Sequence, residues 1–387
     1  MNKYTLESRD EEICLRGATR LDGTPKHDSF LNKNGLLLRS YAWIVRNAVG
    51  LIVLIHGLNS HTRFSFLRHN VEIVNNDKAI LKDENNFYVY KDSWIEHFNE
   101  NGYSVFGIDL QGHGLSDGWD NLKANVKEFD DFAYDVMQYI RNIQDSINGS
   151  NGDDMGGSLP FREDQICERK TLPTYVVGIS MGGSIALRML QILGKSQNRK
   201  STELDISGCI SISPMITVKK LPSRNSFLFQ YVYLPLSKCI ADWFPTVRLI
   251  NKYPYKKNSY VKYIIEYDKI RSKEAITCRL GYELLKAIDT LDNDIEHMPK
   301  DIPVLIIHSK EDILCCYGGS LSFYDRLDVN NKEMHTLEDM EHTIIWEPGN
   351  EEVSKKIVDW IMGLLSSKVG SIYQRGKNAV VEEEQHV

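Results

Sequence analysis

The sequence contains no uninterrupted apolar run of about 18 residues, the length that a membrane-spanning helix requires. The nearest approach, residues 227–250, is rich in aromatic residues but is broken by Lys238, Asp242 and two prolines. The first residues, MNKYTLESRDEEICLRG, carry charges throughout and lack the apolar centre of a secretory signal peptide. We therefore expect a cytoplasmic protein that neither spans a membrane nor is secreted.

Paired cysteines and an excess of basic charge are also missing. The seven cysteines are scattered and form no Cys-x-x-Cys pair, so neither a disulfide framework nor a zinc or redox site is expected. Lys and Arg number 46 against 53 Asp and Glu, which gives a net charge of −7. Nucleic acid is therefore not an expected partner. We predict no metal and no cofactor.

Short apolar runs alternate with stretches of helical periodicity. Residues 51–55 and 103–110 are typical of strands buried on both faces, whereas 126–143 and 181–193 are typical of helices. Residues 28–45 alternate around Asn34-Gly35, a pattern that predicts a β-hairpin. Further strand-like runs cover 172–178, 206–213 and 303–308. The pattern predicts an α/β fold with a mostly parallel central sheet flanked by helices.

Three segments interrupt this alternation. Residues 70–90 and 146–170 are predicted to be surface insertions, the second because it is rich in Gly, Ser and Asp. Residues 214–300 follow the sixth predicted strand and are aromatic and compatible with helices. We predict that they form a helical cap over the carboxyl ends of the strands, where open α/β sheets bind ligands. The core then comprises 28–213 and 301–366, followed by a polar tail at 367–387.

The strongest local motif is Gly178-Ile179-Ser180-Met181-Gly182, which lies between a predicted strand and a predicted helix. This is the setting of a nucleophile elbow, in which a strand turns sharply into a helix and exposes a serine at the apex. The flanking glycines leave room for that turn. We predict that Ser180 is a nucleophile; the alternative is a serine that only caps the helix.

A serine hydroxyl requires a general base, and the base requires an acid that holds its tautomer. In this arrangement the chain order is Ser, then Asp or Glu, then His. Asp312 follows the predicted strand 303–308, and His342 follows the next strand-like run. We assign Asp312 as the acid and His342 as the base. The alternatives are Glu311 or Asp301 as the acid and His335 or His308 as the base, although His308 is expected to be a core histidine.

An acyl-transfer site also requires two N–H donors for the oxyanion. The backbone N–H of Met181, directly after the nucleophile, is one candidate. The second is the N–H of Leu58, in the loop that follows the strand at 51–55. For His56, in the same loop, we favour a structural role.

The segments HGLNSHTRF, DLQGHGLSDG, GISMGGSIAL, PVLIIHSKEDILCC and EDMEH together resemble the monoacylglycerol lipase and lysophospholipase group of α/β-hydrolases, also grouped as serine aminopeptidase-like hydrolases. The resemblance covers residues 36–365 without the insertions, which resemble those of apicomplexan members. It implies the α/β-hydrolase fold, Ser180, Asp312 and His342 as nucleophile, acid and base, and the Leu58 and Met181 oxyanion positions. It implies no cofactor.

The resemblance also implies residues that contact substrate. Asn59, His61 and Arg63 match the loop that holds the glycerol head group in relatives, but Ser60 replaces a Glu and the Arg lies one place early. These departures concern recognition of the glycerol head group and leave the residues matched for ester hydrolysis unchanged. Cys315 matches the family's Asp-x-x-Cys, either as a target for thiol reagents or as a buried, inert thiol.

The aromatic side chains of the predicted cap allow two interpretations. Phe229, Tyr233 and Trp243 either line an acyl tunnel and an edge that touches a membrane surface, or form the cap's own core. With the triad, the first interpretation predicts a serine hydrolase that cleaves lysophospholipid or monoacylglycerol esters. The alternatives are a small-molecule carboxylesterase, an aminopeptidase-like amidase, and, from a different class, a non-catalytic receptor.

Overall fold

The computed structural model describes residues 22–148, 172–196, 204–219, 221–249 and 257–366. The predicted tail at 367–387 lies outside the described residues, as does the predicted insertion at 146–170 except for its first three positions, which end a helix. Among the helices in these ranges, none is long and apolar enough to cross a bilayer.

Twelve strands and nine helices make up the described structure. The strands are β1 (Lys26–Leu31), β2 (Leu37–Trp43), β3 (Gly50–Ile55), β4 (Arg68–His69), β5 (Val71–Asn75), β6 (Lys78–Leu81), β7 (Tyr88–Val89), β8 (Tyr103–Ile108), β9 (Thr174–Ile179), β10 (Gly208–Ile212), β11 (Val304–Ser309) and β12 (Lys332–Leu337). The helices are α1 (Thr62–Phe66), α2 (Trp94–Glu100), α3 (Asp130–Asn148), α4 (Met181–Lys195), α5 (Leu234–Trp243), α6 (Val261–Tyr267), α7 (Cys278–Asn293), α8 (Tyr317–Arg326) and α9 (350–366).

The central sheet has eight strands in the order β1-β2-β8-β3-β9-β10-β11-β12. The β1–β2 and β2–β8 pairs are antiparallel and the remaining pairs are parallel. Strands β3, β8, β9, β10 and β11 are buried along their whole length, because helices cover both faces of the sheet. The predicted fold class is therefore confirmed, including its hairpin at the antiparallel edge.

The parallel strands bring the loops that follow them to one edge of the sheet. His56 follows β3, Ser180 follows β9 and Asp312 lies in the loop after β11. In register, Ile55 of β3 is paired with Gly178 of β9, so the first two loops begin side by side. This edge is where the sequence-predicted site residues meet.

The segment between β10 and β11 contains a π-helical turn at Phe229–Tyr233 and the helices α5, α6 and α7. Helix α7 packs against α5 and also buries Leu280, Leu284 and Ile288 in the large core cluster on that side of the sheet. The predicted helical cap therefore follows the sixth strand of the central sheet, and its last helix is anchored in the core.

Residues 70–90, predicted to be a surface insertion, are mostly exposed but have regular structure and two buried side chains. They form the β5–β6 hairpin, and β7 pairs with β4. Ala79 and Phe87 are buried with Phe64, Tyr260 and Val261, so this segment packs against α6. The hairpin thus shares one apolar cluster with α1 and α6, and this cluster joins it to the cap.

Candidate active site

Ser180 lies at a strained turn between β9 and α4. Its backbone has φ 56° and ψ −122°, outside the φ/ψ regions that residues with a side chain favour. Its N–H donates to Ile212 O at 2.8 Å. A Cβ at 178 would overlap the carbonyl oxygen of Gly182, and one at 182 would overlap that of Ile55. The two glycines are thus required for the close approach of α4 to β3 and β9.

The structure brings Ser180, His342 and Asp312 into one chain of hydrogen bonds. Ser180 Oγ lies 2.7 Å from His342 Nε2, and His342 Nδ1 lies 2.7 Å from Asp312 Oδ2. A carboxylate can only accept hydrogen bonds, so Nδ1 of His342 carries the proton and donates to Asp312. Nε2 of the same ring then accepts from the hydroxyl of Ser180. Asp312 is fully buried and His342 is nearly so. This is the geometry that an activated serine requires.

His308 is a second imidazole on the same carboxylate, and its part in the site was not expected from the sequence. Its Nε2 lies 3.1 Å from Asp312 Oδ2, and its Nδ1 lies 2.8 Å from Ser320 Oγ. The other carboxylate oxygen, Oδ1, accepts from the backbone N–H groups of Leu314 and Cys315, each at 2.8 Å. Asp312 is therefore held by four donors in one orientation. The core histidine expected from the sequence is also a partner of the acid.

The charges in this chain of hydrogen bonds stabilise one another. Burial alone raises the pKa of Asp312, but His342 and the hydrogen bond from His308 outweigh it and hold the pKa well below its usual value. Burial lowers the pKa of His342, but Cys315 and Asp312 outweigh it and the pKa lies well above its usual value. We attribute this rise to Asp312, since burial raises the pKa of Cys315 and keeps its thiol neutral. Asp312 therefore favours the imidazolium form of His342.

Leu58 and Met181 contribute to the cavity wall beside Ser180. Met181 is the first residue of α4, so its N–H belongs to the turn that has no intrahelical acceptor. His56 has the structural role that we favoured: its Nε2 accepts from Leu110 N at 3.0 Å and its Nδ1 lies 2.8 Å from Gly57 O. Burial lowers the pKa of His56 to about 3 and keeps it neutral.

Ser180, His342 and Cys315 open onto a cavity of about 450 Å³. This volume is within the range of small-molecule sites, about 300–1,000 Å³. Towards the cap the wall is apolar, with Ile240, Leu249, Ile276, Leu284, Leu285 and Ile288. Near the loop after β3 the wall includes the polar side chains of Asn59, Ser60, Ser65 and Arg271 together with the apolar side chains of Phe64, Ile265 and Trp346. Ser180 and His342 thus face a largely apolar cavity that also carries a few polar groups.

Of the three loop residues expected to contact substrate, only Asn59 lies on the cavity wall. His61 is fully buried and caps α1: Phe64 N donates to its Nδ1, and its Nε2 lies 3.0 Å from Asp268 Oδ2. Arg63 packs over the rings of Tyr41 and Tyr88. His61 and Arg63 are turned away from the cavity because α1 begins immediately after His61, and the helical turn directs both side chains into the surrounding structure.

The three cap aromatics named from the sequence are also placed off the cavity wall. Phe229 is buried in the main core cluster with 1% exposure, whereas Tyr233 and Trp243 are 41% and 80% exposed. The aliphatic side chains of α5 and α7 take the place that these aromatics were expected to have. The sequence does not show which face of a short helix turns inward when both faces are apolar.

The other three competitors, Glu311, Asp301 and His335, take no part in the chain of hydrogen bonds from Ser180 to Asp312. Glu311 is 42% exposed in its side chain and pairs with Lys257, and His335 lies within β12, opposite Ile307 of β11. Asp301 lies in the turn before β11, at the opposite end of the strand from Asp312. Among the described residues, Asp312, Cys315 and His342 have ligand atoms within 4.8 Å of one another. Their hydrogen bonds and the neutral thiol fit a proton-transfer chain better than a metal site.

Arg271 and its neighbours are a part of the site that the sequence analysis missed. Arg271 Nε donates to Asn59 O at 2.9 Å, across 212 residues. Asp268 is buried and binds His61 and the hydroxyl of Tyr88. Residues 268–271, with the sequence DKIR, match no known motif. The signal in the sequence is limited to charged residues that follow an aromatic segment.

Comparison with known proteins identifies the family and the fold of this chain. Residues 87–349 match the profile of a family described as serine aminopeptidase, S33. Caffeoylshikimate esterase of Arabidopsis thaliana is 25% identical over 272 residues, which cover 68% of this chain and 70% of that protein. An uncharacterized abhydrolase domain-containing protein of Dictyostelium discoideum is 24% identical over 272 residues, 69% of this chain but only 24% of that protein.

A solved structure shows the same fold over nearly the whole chain. A soluble variant of monoglyceride lipase from Saccharomyces cerevisiae, in complex with a substrate analog, superposes with a TM-score of 0.63 at 18% identity. The match covers 90% of this chain and 97% of that one. The fold is that of the α/β hydrolases, and since the family profile matches more than half of the chain, the chain belongs to the serine aminopeptidase S33 family of hydrolases.

Proposed function

We propose that this protein is a serine hydrolase that cleaves carboxylic esters of lipid-like substrates through an acyl-enzyme on Ser180. The observation that carries the proposal is the chain of 2.7 Å contacts from Ser180 to His342 and from His342 to Asp312 at the wall of a largely apolar cavity. Lysophospholipids and monoacylglycerols are the substrate classes that combine an ester with one apolar chain.

The geometry supports the usual two-step route of acyl transfer. His342 Nε2 takes the proton of Ser180 as Oγ attacks the ester carbonyl, and Asp312 stabilises the imidazolium that forms. The N–H groups of Leu58 and Met181 are assigned to the oxyanion. The imidazolium then donates its proton to the leaving alcohol, and a water molecule, activated by His342, releases the carboxylic acid.

The first test is covalent labelling by a fluorophosphonate, read by intact mass, on the wild type and on Ser180→Ala. We expect one label on the wild type, none on the variant, and at least about 10⁴-fold slower ester cleavage by the variant. Ser237→Ala is the matched control, because Ser237 lies on the same cavity wall and its hydroxyl donates to Leu234 O of its own helix. Labelling of a folded Ser180→Ala protein would exclude Ser180 as the nucleophile.

Chain-length profiling separates the lipid proposal from its alternative, a broad carboxylesterase or amidase for small substrates. Arabidopsis caffeoylshikimate esterase, one relative, is named for an aromatic ester, and the yeast neighbour is named for monoglycerides. An apolar cavity of this size favours long chains, so kcat/KM should rise from butyryl to decanoyl esters. A fall beyond butyryl would favour the small-ester alternative.

We also propose that the exposed face of the cap contacts a membrane surface transiently. Phe227 and Trp243 are 73% and 80% exposed, and Tyr231, Leu236 and Phe244 also face solvent. Five large apolar side chains exposed within residues 227–244 are a candidate for contact with a lipid surface. In liposome flotation, the double variant Phe227→Ser with Trp243→Ser should float less than the wild type. Equal flotation would exclude this contact.

A further inference from the structure

We propose that Asp268 of the cap is a positioning residue for the reaction: through His61 it holds the loop that carries the Leu58 N–H, one of the two donors assigned to the oxyanion. We refer to residues 57–61 as the β3 loop. As far as the described residues form it, the cavity wall contains neither Asp268 nor His61, so both act through the backbone without touching substrate. The proposal rests on the proposed ester hydrolysis at Ser180.

The β3 loop is anchored to the core where it begins. His56 Nε2 accepts from Leu110 N at 3.0 Å, so Nδ1 carries the ring proton and donates to Gly57 O at 2.8 Å. That oxygen and the Leu58 N–H belong to one trans peptide and point in opposite directions. A Cβ at Gly57 would lie 3.2 Å from Ser180 Cβ, so this peptide borders the nucleophile.

After Leu58 the β3 loop turns through a conformation that needs support. Asn59 has φ 51°, in the left-handed region that residues with a side chain rarely adopt. Its carbonyl accepts from Arg271 Nε of the cap at 2.9 Å. On the core side, Asp109 Oδ1 accepts from the N–H of Thr62, just beyond the loop, at 3.0 Å. The end of the β3 loop is therefore held by the core and by the cap together.

Asp268 provides the second contact from the cap. His61 Nδ1 accepts from Phe64 N, so Nε2 carries the proton and donates to Asp268 Oδ2 at 3.0 Å, where both side chains are fully buried. Asp268 Oδ1 accepts from the Tyr88 hydroxyl at 2.8 Å and from Ile270 N at 2.7 Å. Burial alone raises the pKa of Asp268, but His61, Ile270 and Tyr88 outweigh it and lower the pKa to about 2. The carboxylate is thus an ionised acceptor that joins the cap to the β3 loop.

The direction of the Leu58 N–H matters most in the transition state. An oxyanion donor is effective only within a narrow range of distances and angles, about 2.7–3.1 Å from the oxygen. Release of the β3 loop from Asp268 would turn this N–H while the cavity wall stays in place. We therefore expect such a change to lower kcat and to leave KM nearly constant.

Asp268→Asn breaks the contact without changing its size. The amide oxygen takes the Oδ1 place, where Ile270 N donates, and the NH₂ group then faces the Nε2–H of His61. The ring cannot move its proton to Nδ1, because Phe64 N–H faces that atom. We expect kcat on a decanoyl ester to fall about ten- to hundredfold, with KM within about threefold.

His61→Asn tests the same contact from the other side. Asparagine is a favoured N-cap and keeps the acceptor for α1, but its shorter side chain loses Asp268. kcat should fall as in Asp268→Asn, and the double variant should be at most about threefold slower than the slower single variant, because one contact is removed. Lys269→Gln is the matched control: it lies in the same turn, is exposed and pairs with Glu84, and kcat should stay within about twofold.

Two inhibitors separate positioning from a general loosening of the site. On a decyl trifluoromethyl ketone, Ser180 Oγ adds to the carbonyl carbon, its proton passes to His342, and the carbonyl oxygen becomes the oxyanion. 1-Decanol occupies the cavity without this step. In both variants the Ki of the ketone should rise in parallel with the fall in kcat/KM, while the Ki of 1-decanol stays within about threefold.

The two proposals fail in different ways. A folded His61→Asn protein with the wild-type kcat would overturn the role of Asp268, and this variant decides the question even where Asp268→Asn does not fold. Equal rises in the two Ki values, or additive losses in the double variant, would also overturn it while ester hydrolysis stands. A wild-type protein that cleaves no ester and takes no fluorophosphonate label would overturn the proposed function itself.

Discussion

Replacing Asp312 by Asn tests the assignment of the acid, because the surrounding donors determine how the new amide is oriented. Oδ1 of Asp312 accepts from the N–H groups of Leu314 and Cys315, and Oδ2 faces His342 and His308. The amide oxygen must take the Oδ1 place, because an NH₂ group there would face two N–H donors and leave them unsatisfied, at about 1–3 kcal/mol each. The NH₂ group is therefore placed against His342 Nδ1.

This orientation forces the wrong tautomer on His342. Nδ1 must accept from the amide, so the proton moves to Nε2, which then faces Ser180 Oγ and no longer accepts its proton. A change of this kind lowers kcat by about 10⁴-fold in triad enzymes, which is about 5.5 kcal/mol of transition-state stabilisation. The folded structure should change little, because size and shape are conserved.

The assay is kcat on a chromogenic decanoyl ester, with the rate of fluorophosphonate labelling and the Tm as companions. Glu311→Gln is the matched control: it changes the neighbouring carboxylate, which is exposed and pairs with Lys257, and kcat should stay within about threefold. A folded Asp312→Asn protein that keeps more than a tenth of the wild-type kcat would refute the assignment.

Three further predictions follow from single contacts. A Cβ at Gly281, on the cavity wall, would lie 2.6 Å from Leu249 Cδ1, so Gly281→Val should lower kcat/KM for decanoyl esters at least about tenfold and leave butyryl esters within threefold; Gly363→Val, at an open position, should change neither. His308→Leu removes one donor from Asp312 and should lower kcat about five- to tenfold, with His308→Gln recovering part of it; equal losses in both would contradict a donor role. Burial raises the pKa of Asp135 from 3.8 to about 7, so the folded protein retains a proton that the unfolded chain releases, and stability should fall as pH rises from about 4 to 7; Asp135→Asn should flatten this fall in Tm, and an unchanged slope would contradict it.

Much of the fold could be predicted because it follows from short-range patterns. Solid apolar runs such as β3 are stable only when both faces are covered, which requires helices on either side of a parallel sheet. The structure of residues 70–90 was harder to predict, since most of them are polar and exposed. Ala79 and Phe87 do not stand out in the sequence, and they are buried in the structure by packing with α6. The role of this segment depends on a helix far along the chain, and no local pattern carries that information.

The candidate site divides in the same way. Ser180 could be predicted because Gly178 and Gly182 are its immediate neighbours and leave a steric signature. Asp312 and His342 followed from chain order in the sheet. The residues of the cavity wall could not be predicted in this way. Phe229 and Trp243 are both aromatic, yet Phe229 lies in the core and Trp243 is exposed to solvent.

The sequence by itself determined the alternation of strands and helices, the strained turn at Ser180 and the order in which Ser180, Asp312 and His342 arrive at one edge of the sheet. These follow from sterics and periodicity over a few residues. Only the tertiary structure decided that His308 shares Asp312 with His342, that His61 turns inward to Asp268, and that Arg271 reaches Asn59. The first contact depends on how the loop after β11 folds back on its own strand. The other two depend on how the 214–300 segment packs on the loop after β3, far away in the chain.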